Sequence, residues 1–503
     1  MTPDERDKRL AIFVLPVIVL FFYITAALHF SYTPDDTYIY MQFAKNIAHG
    51  GGFSFNYGEP TYGITGVLWM MIIASANLFN IDPYIAAKAL DLVAACGALT
   101  LFYYLTFEII RDGYVALFAT LAFSMNVWFL RWAGTGMETS FAVLLVLTIA
   151  WFCIRNEYFL SLFFTALFTL VRPEGWLLVP LIMIDVYINS VDKRRALKLI
   201  SGFLIVFIAL ILPWMVYAYH TFGAIFPNTM FAKSNPNFDL VDAGYTFFDF
   251  GRTLILSDGV SVIILVFSIL FLAMSPKSTD QSDEEREGER FYLFRQSFVP
   301  LSWVVLISLL YCLKGVNIIS RYLLIVTPFI VIFSYLYFYK IFNQSRWSRY
   351  SYVAMMVLSA FIMLQNQVAY NLIVKPGIQV FEQGMDDCLI PIGKWFNRNT
   401  PPGTVIFAAD VGAIGYYSER PICDAAGLVS PSILEYFRKG YTVERMYQEK
   451  LYLQQHAGYI VHRSTDMNAL NNDPGLTPVF TRVMYQLELA HPQPMYYTVY
   501  KVK

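Results

Sequence analysis

Residues 10–28, LAIFVLPVIVLFFYITAAL, are followed shortly by Thr33-Pro34-Asp35-Asp36-Thr37-Tyr38. An uncharged apolar run of this length crosses a bilayer core. It is too long, and is followed by too many others, to be a cleaved leader, so it reads as a retained first span. Two adjacent carboxylates just beyond it are costly to hold beside a low-dielectric region. An acidic pair in that place points to a site that uses charge.

Working outward, the 503 residues are 57% hydrophobic, 17% aromatic and only 15% charged. A soluble chain of this size carries about 25% charged residues. Apolar segments follow at 64–80, 85–108, 115–130, 141–153, 159–170, 176–188, 197–219, 260–273, 298–313, 322–339 and 352–370. The chain therefore reads as an α-helical polytopic membrane protein. Its net charge of −1 gives no reason to invoke nucleic acid.

Basic residues set the orientation. Arg6, Lys8 and Arg9 place the N-terminus in the cytoplasm. The clusters at 193–195, 277–295 and 340–349 fall on the same side only if 64–80 lies at the interface without crossing. That leaves about eleven transmembrane helices. It puts 30–63, 131–140, 172–174, 221–257, 315–321 and the tail from Lys375 on the outer face of the cell membrane.

Residues 1–374 then form the membrane domain, with a first outer loop at 30–84, and residues 375–503 form a small extracytoplasmic α/β domain. In the tail, 404–409 reads as a buried strand, 410–415 as a turn into a short helix, 432–438 as a helix, and 459–462 and 496–502 as strands. On an oxidising face Cys388 and Cys423 either pair or remain buried thiols. No Cys/His spacing suggests zinc.

Read alone, Thr33-Pro34-Asp35-Asp36 also suits a helix start: Thr as cap, Pro in the first turn, acids near the positive end of the dipole. Ile39, Phe43 and Ile47 recur at helical spacing after it. What shifts the weight toward chemistry is the company on the same face: Arg131, Glu138, Arg172, Glu174, Lys233 and Arg321. Carboxylates beside cations can hold a lipid phosphate and take a proton from a hydroxyl next to it.

The motifs carry a resemblance. Asp35-Asp36-Thr37-Tyr38-Ile39, Ala44-Lys45-Asn46, the run 51–59 (GGFSFNYGE) and Gly63-Ile64-Thr65 resemble the first outer loop of C-type (GT-C) glycosyltransferases. The closest likeness is to the terminal arabinofuranosyltransferase branch of actinobacterial cell-wall synthesis. Gly136-Met137-Glu138-Thr139, Val171-Arg172-Pro173-Glu174-Gly175, Pro227-Asn228-Thr229 with Lys233, the run 410–417 (DVGAIGYY) and the run 424–428 (DAAGL) resemble later motifs of that branch, in order. Thr37 replaces the usual Ala, and Gly63-Ile64-Thr65 replaces Gly-Tyr-Thr, which leaves the sugar open.

The resemblance implies a polyprenyl-phosphate sugar donor, an extracytoplasmic glycan or lipid-linked acceptor, and inverting transfer in the membrane. It makes Asp35 the general base and Asp36 its neighbour. Glu138, Arg172, Glu174, Lys233, Arg321 and Tyr38 become substrate-binding candidates, with Lys233, Arg172 or Arg321 on the phosphate. Oxygen ligands such as Asp36 and Glu138 would suit Mg²⁺, Mn²⁺ or Ca²⁺, although no residue pattern demands a metal. The alternative is a polytopic transporter or flippase for a lipid-linked saccharide. That reading looks to mid-span ionisable residues, here Asp91 and Glu108.

Overall fold

Among the described residues, six helices are long and apolar enough to cross a bilayer: Glu5–Ala27, Pro83–Ile110, Lys193–Phe222, Leu240–Met274, Phe294–Leu313 and Ser348–Asn399. Shorter apolar helices at Val67–Phe79, Gly113–Ser124, Thr139–Ile154 and Tyr158–Val171 pack among them. These observations come from a computed structural model that describes residues 3–229, 240–274, 283–343, 347–488 and 491–503.

Length decides what each helix can do. Val67–Ala76 has 10 residues. At 1.5 Å per residue it spans about 15 Å, half of a bilayer core of about 30 Å. Leu240–Met274, with 35 residues, is longer than the core requires. It takes in the C-terminal part of the segment expected to be an outer polar loop at 221–257. Likewise, the loop expected at 277–295 is helical from Asp283 onward, within Asp283–Leu313.

The last spanning helix does not stop at the expected domain boundary. It runs from Ser348 to Asn399 without a break, through π-turns at Tyr370–Val374 and Met385–Leu389. Each π-turn is followed at once by a proline in the first turn of the next α-helical piece, Pro376 and Pro391. A π-turn at Leu10–Val14 precedes Pro16 in the same way. Proline lacks the N–H and crowds the preceding turn. A wider turn just before it lets the helix continue without a sharp kink.

The tail folds around a five-stranded mixed sheet of order β2-β1-β3-β5-β4. Its strands are β1 (Ile406–Ala408), β2 (Ile422–Asp424), β3 (Tyr459–Ser464), β4 (Leu476–Glu488) and β5 (His491–Val502). β1 pairs parallel with β2 and β3, and β5 pairs antiparallel with β3 and β4. The parallel pairs need crossovers. Helix Gly412–Ser418 supplies the first, and the helices Pro431–Arg438, Val443–Gln448 and Leu451–Gln454 supply the second. Cys388 and Cys423 are both buried and free, so the pairing considered for them is not formed.

Candidate active site

The acids begin a helix, Asp35–Ala48, that lies between the spanning helices and the tail. Its buried face is built from Tyr38, Ile39, Met41, Phe43 and Ala44. Asn46 ties the helix to the following loop by donating to the Ser54 and Phe55 carbonyls at 3.0 and 2.7 Å.

The two acids face different partners. The Asp35 carboxylate accepts from the backbone N–H groups of Gly412 and Ala413, at 2.9 and 2.8 Å. Those amides open the tail helix Gly412–Ser418. Gly412 is required there, since a Cβ would sit 2.0 Å from the Asp35 carbonyl oxygen. Burial, then nearby Asp410, pushes the Asp35 carboxyl up to about 7, against the pull of the two amides. Asp36 instead takes a hydrogen bond from the Arg321 guanidinium at 2.8 Å.

Asp36 and Arg321 lie on a cavity of about 440 Å³. Its polar wall also contains Glu138, Arg172, Glu174, Tyr40, Tyr311, Thr229 and Lys314. Its apolar wall includes Ile39, Trp176, Leu177, Phe226, Leu310 and Val316. Arg172 pairs with Glu138 at 3.4 Å and Glu174 at 3.1 Å, and Tyr311 donates to Glu174 at 2.7 Å. Burial raises the Glu174 carboxyl, but Arg172 and Tyr311 more than offset it, and it is held below the usual range. The Tyr322 ring stands beside both guanidiniums, 5.3 Å from Arg172 and 5.5 Å from Arg321.

Five expected residues thus meet on one cavity: Asp36, Glu138, Arg172, Glu174 and Arg321. Asp35 and Tyr38 do not line it. The Tyr38 ring packs on Tyr416 and Tyr417 of the tail, with centroids at 5.7 and 5.6 Å. Lys233 lies outside the described residues. Arg131 is half-buried against Tyr32, Trp128 and Trp132. Among the described residues, no group of three His, Cys, Asp or Glu side chains converges.

Sequence reasoning passed over Lys314. It is exposed at the rim of the cavity, and among the described residues it forms no ion pair. A lysine ending an apolar run looks like any interfacial anchor. The tail also reaches the cavity through Leu428. The loop carrying it is shaped by Asp424, whose carboxylate accepts from Ala426 and Val429 N–H at 2.7 and 3.0 Å. Neither acid raised by the transporter alternative lies on this cavity: Asp91 is fully enclosed, and Glu108 pairs with Arg111 at 2.6 Å near a helix end.

Comparison with known proteins places the fold. Over 97% of this chain and 97% of the other, it is similar to ArnT from Cupriavidus metallidurans bound to undecaprenyl phosphate, with a TM-score of 0.62 and 11% identity. It is similar to the Archaeoglobus fulgidus oligosaccharyltransferase over 92% and 70% of the two chains, with a TM-score of 0.61 and 13% identity. The fold is that of the GT-C glycosyltransferases. Arabinofuranosyltransferase AftD from Mycobacteria is similar over 97% of this chain and 40% of its own, with a TM-score of 0.50 and 13% identity. Residues 377–500 match a family described as a domain of unknown function (DUF8728). No curated protein sequence matches.

Proposed function

We propose that the chain is a membrane glycosyltransferase that moves a sugar from a polyprenyl-phosphate donor to an extracytoplasmic glycan or lipid-linked acceptor, with inversion. The observation that carries this reading is the cavity where Asp36, Glu138, Arg172, Glu174 and Arg321 meet beside an apolar wall. Carboxylates suit sugar hydroxyls, cations suit a phosphate, and an apolar wall suits a prenyl chain. The GT-C fold, seen in a neighbour holding undecaprenyl phosphate, supports the donor class.

In this reading the general base moves from Asp35 to Asp36. Both Asp35 oxygens already accept backbone amides, whereas Asp36 lies on the cavity. The Arg321 guanidinium donates to Asp36 at 2.8 Å and orients its carboxylate on the cavity wall. The acceptor hydroxyl gives its proton to Asp36 as its oxygen bonds to the anomeric carbon. The bond from that carbon to the phosphate oxygen breaks on the opposite face. The departing polyprenyl phosphate is held by Arg321, Arg172 and Lys314. Asp35 and Tyr38 act at one remove, by fixing the acid helix to the tail.

The test supplies purified protein with short-chain polyprenyl phosphates carrying pentoses or hexoses, together with a cell-envelope extract of glycans and lipids as acceptor, and measures released polyprenyl phosphate. Release is expected from wild type. Its loss is expected in Asp36→Asn, by about 10²–10⁴-fold. A folded Asp36→Asn protein with wild-type turnover would remove Asp36 as base. A folded wild type that releases nothing from the whole panel would remove the transferase reading.

A further inference from the structure

The spanning helix Pro83–Ile110 carries Lys88 and Asp91 one turn apart, and both are fully enclosed. Neither lines the cavity. Enclosed charges in a spanning helix are costly, and apolar residues of similar volume often serve stability as well or better. Their contacts indicate what they do instead.

Lys88 Nζ donates to the Tyr32 carbonyl at 2.9 Å and to Thr33 Oγ1 at 2.8 Å. Those residues lead directly into Pro34 and the acid pair. Asp91 Oδ2 accepts from Gly136 N–H at 3.1 Å and from Thr135 Oγ1 at 3.2 Å. Those residues lead directly into Met137 and Glu138. One helix therefore grips the base of two of the three loops that deliver a carboxylate to the cavity.

The two loops also hold each other. Thr37 Oγ1 donates to the Thr135 carbonyl at 3.2 Å, and Trp69 Nε1 donates to the Gly136 carbonyl at 3.0 Å. Gly136 has φ +85°, and a Cβ there would lie 2.8 Å from Thr37 Cγ2 and 3.2 Å from Ala87 Cβ. The junction has no slack, so a shift at Asp91 passes directly to the loops.

We infer that Lys88 and Asp91 are positioning residues for sugar transfer, setting the spacing of Asp36 and Glu138 across the cavity. This inference rests on the transferase reading. It predicts a larger effect on turnover than on donor binding, because Arg321 and Arg172, although paired with Asp36 and Glu138 at 2.8 and 3.4 Å, are carried by segments that Lys88 and Asp91 do not hold.

The experiment uses the purified protein with the same polyprenyl-phosphate sugar panel and the same acceptor extract. Asp91→Leu, which replaces the acceptor with an apolar side chain, is expected to lower kcat about 10²-fold with donor KM within about two-fold of wild type. Asp91→Asn keeps an acceptor for the Gly136 amide and is expected to stay within about five-fold of wild-type kcat. Lys88→Met is expected to follow Asp91→Leu. If Asp91→Leu fails to fold, Thr135→Val carries the test, with an expected kcat loss of about five-fold at unchanged KM.

Turnover is counted per folded molecule, from gel filtration and thermal unfolding of each variant. Wild-type kcat in folded Asp91→Leu, equal losses in the Leu and Asn variants, or a rise in donor KM alone would each overturn the inference. With an active wild type these outcomes leave the transferase reading standing. A folded wild type inactive on the whole panel overturns both.

Discussion

Arg321 and Asp36 meet at 2.8 Å across a sequence separation of 285 residues, and they do so on the wall of the cavity. The Arg321 side chain is only 6% exposed, while that of Asp36 is 34% exposed. The pair therefore has a sheltered cation and an acid open to a ligand. Groups that work as a unit in catalysis lose rate non-additively when removed. Arg321→Ala and Asp36→Asn are each expected to lower turnover strongly, and the double variant little further. A cycle of kcat values on folded protein checks this; additive losses would separate the two roles.

Gly412→Ala is expected to loosen the tail from the acid helix. The added methyl would meet the Asp35 carbonyl at 2.0 Å, closer than any real contact. Overpacking of this kind costs about 1–3 kcal/mol. A lower thermal midpoint, with faster proteolysis of the tail, is the expected reading. Gly244→Ala, where nothing lies within 4 Å of the added Cβ and φ is not positive, is the control for a methyl added without a clash.

Asp35 gives the protein a pH dependence of definite sign. Its carboxyl sits at about 7 in the fold, above the unfolded value of about 3.9. A carboxyl raised in this way contributes stability that is fully present below about pH 4 and is lost as pH rises through about 7. Between those limits the thermal midpoint of wild type is expected to fall relative to that of Asp35→Asn. A midpoint difference that stays flat from pH 4 to about pH 8 would refute the assignment.

Lys314→Ala is expected to raise donor KM. Hydrogen bonds to a charged partner contribute about 1.5–3 kcal/mol, or roughly 10–10²-fold. Unchanged donor kinetics in the folded variant would make it an interfacial anchor. Lys233→Ala in the same assay tests the lysine first expected to hold the phosphate.

The tail is expected on the extracytoplasmic side. Lys439 is exposed on the tail surface, and the native cysteines there are buried. A Lys439→Cys variant should therefore react with an impermeant thiol reagent on intact cells. Protection until the membrane is opened would reverse the orientation.

Much of the site was legible because its residues sit in short motifs that keep their order. Glu138, Arg172 and Arg321 each lie at a turn between apolar runs, where a charged residue stands out. The separate fates of Asp35 and Asp36 were not legible. Adjacent helical residues point about 100° apart, and which one meets the cavity depends on where the tail docks. Lys88 is hidden in an apolar run, and nothing local shows that it reaches back to Tyr32. The long helix into the tail was not legible, because the apolar run ends near Tyr370 and the charge beyond it is ordinary, while π-turns carry the helix on past Pro376 and Pro391. β4 was missed as well; its polar alternation and Pro478 look like loop until it pairs with β5.

The bond from Asp35 to Gly412 spans 377 residues, so it imposes an order on the making of the protein. The acids leave the ribosome among the first segments, and the amides that anchor them, with the Leu428 wall, come hundreds of residues later. A nascent chain stalled before the tail lacks the amides that hold Asp35 and the part of the cavity wall that Leu428 supplies. On the proposed reading, transfer waits until the segment carrying Gly412 has been made and has docked on the acid helix.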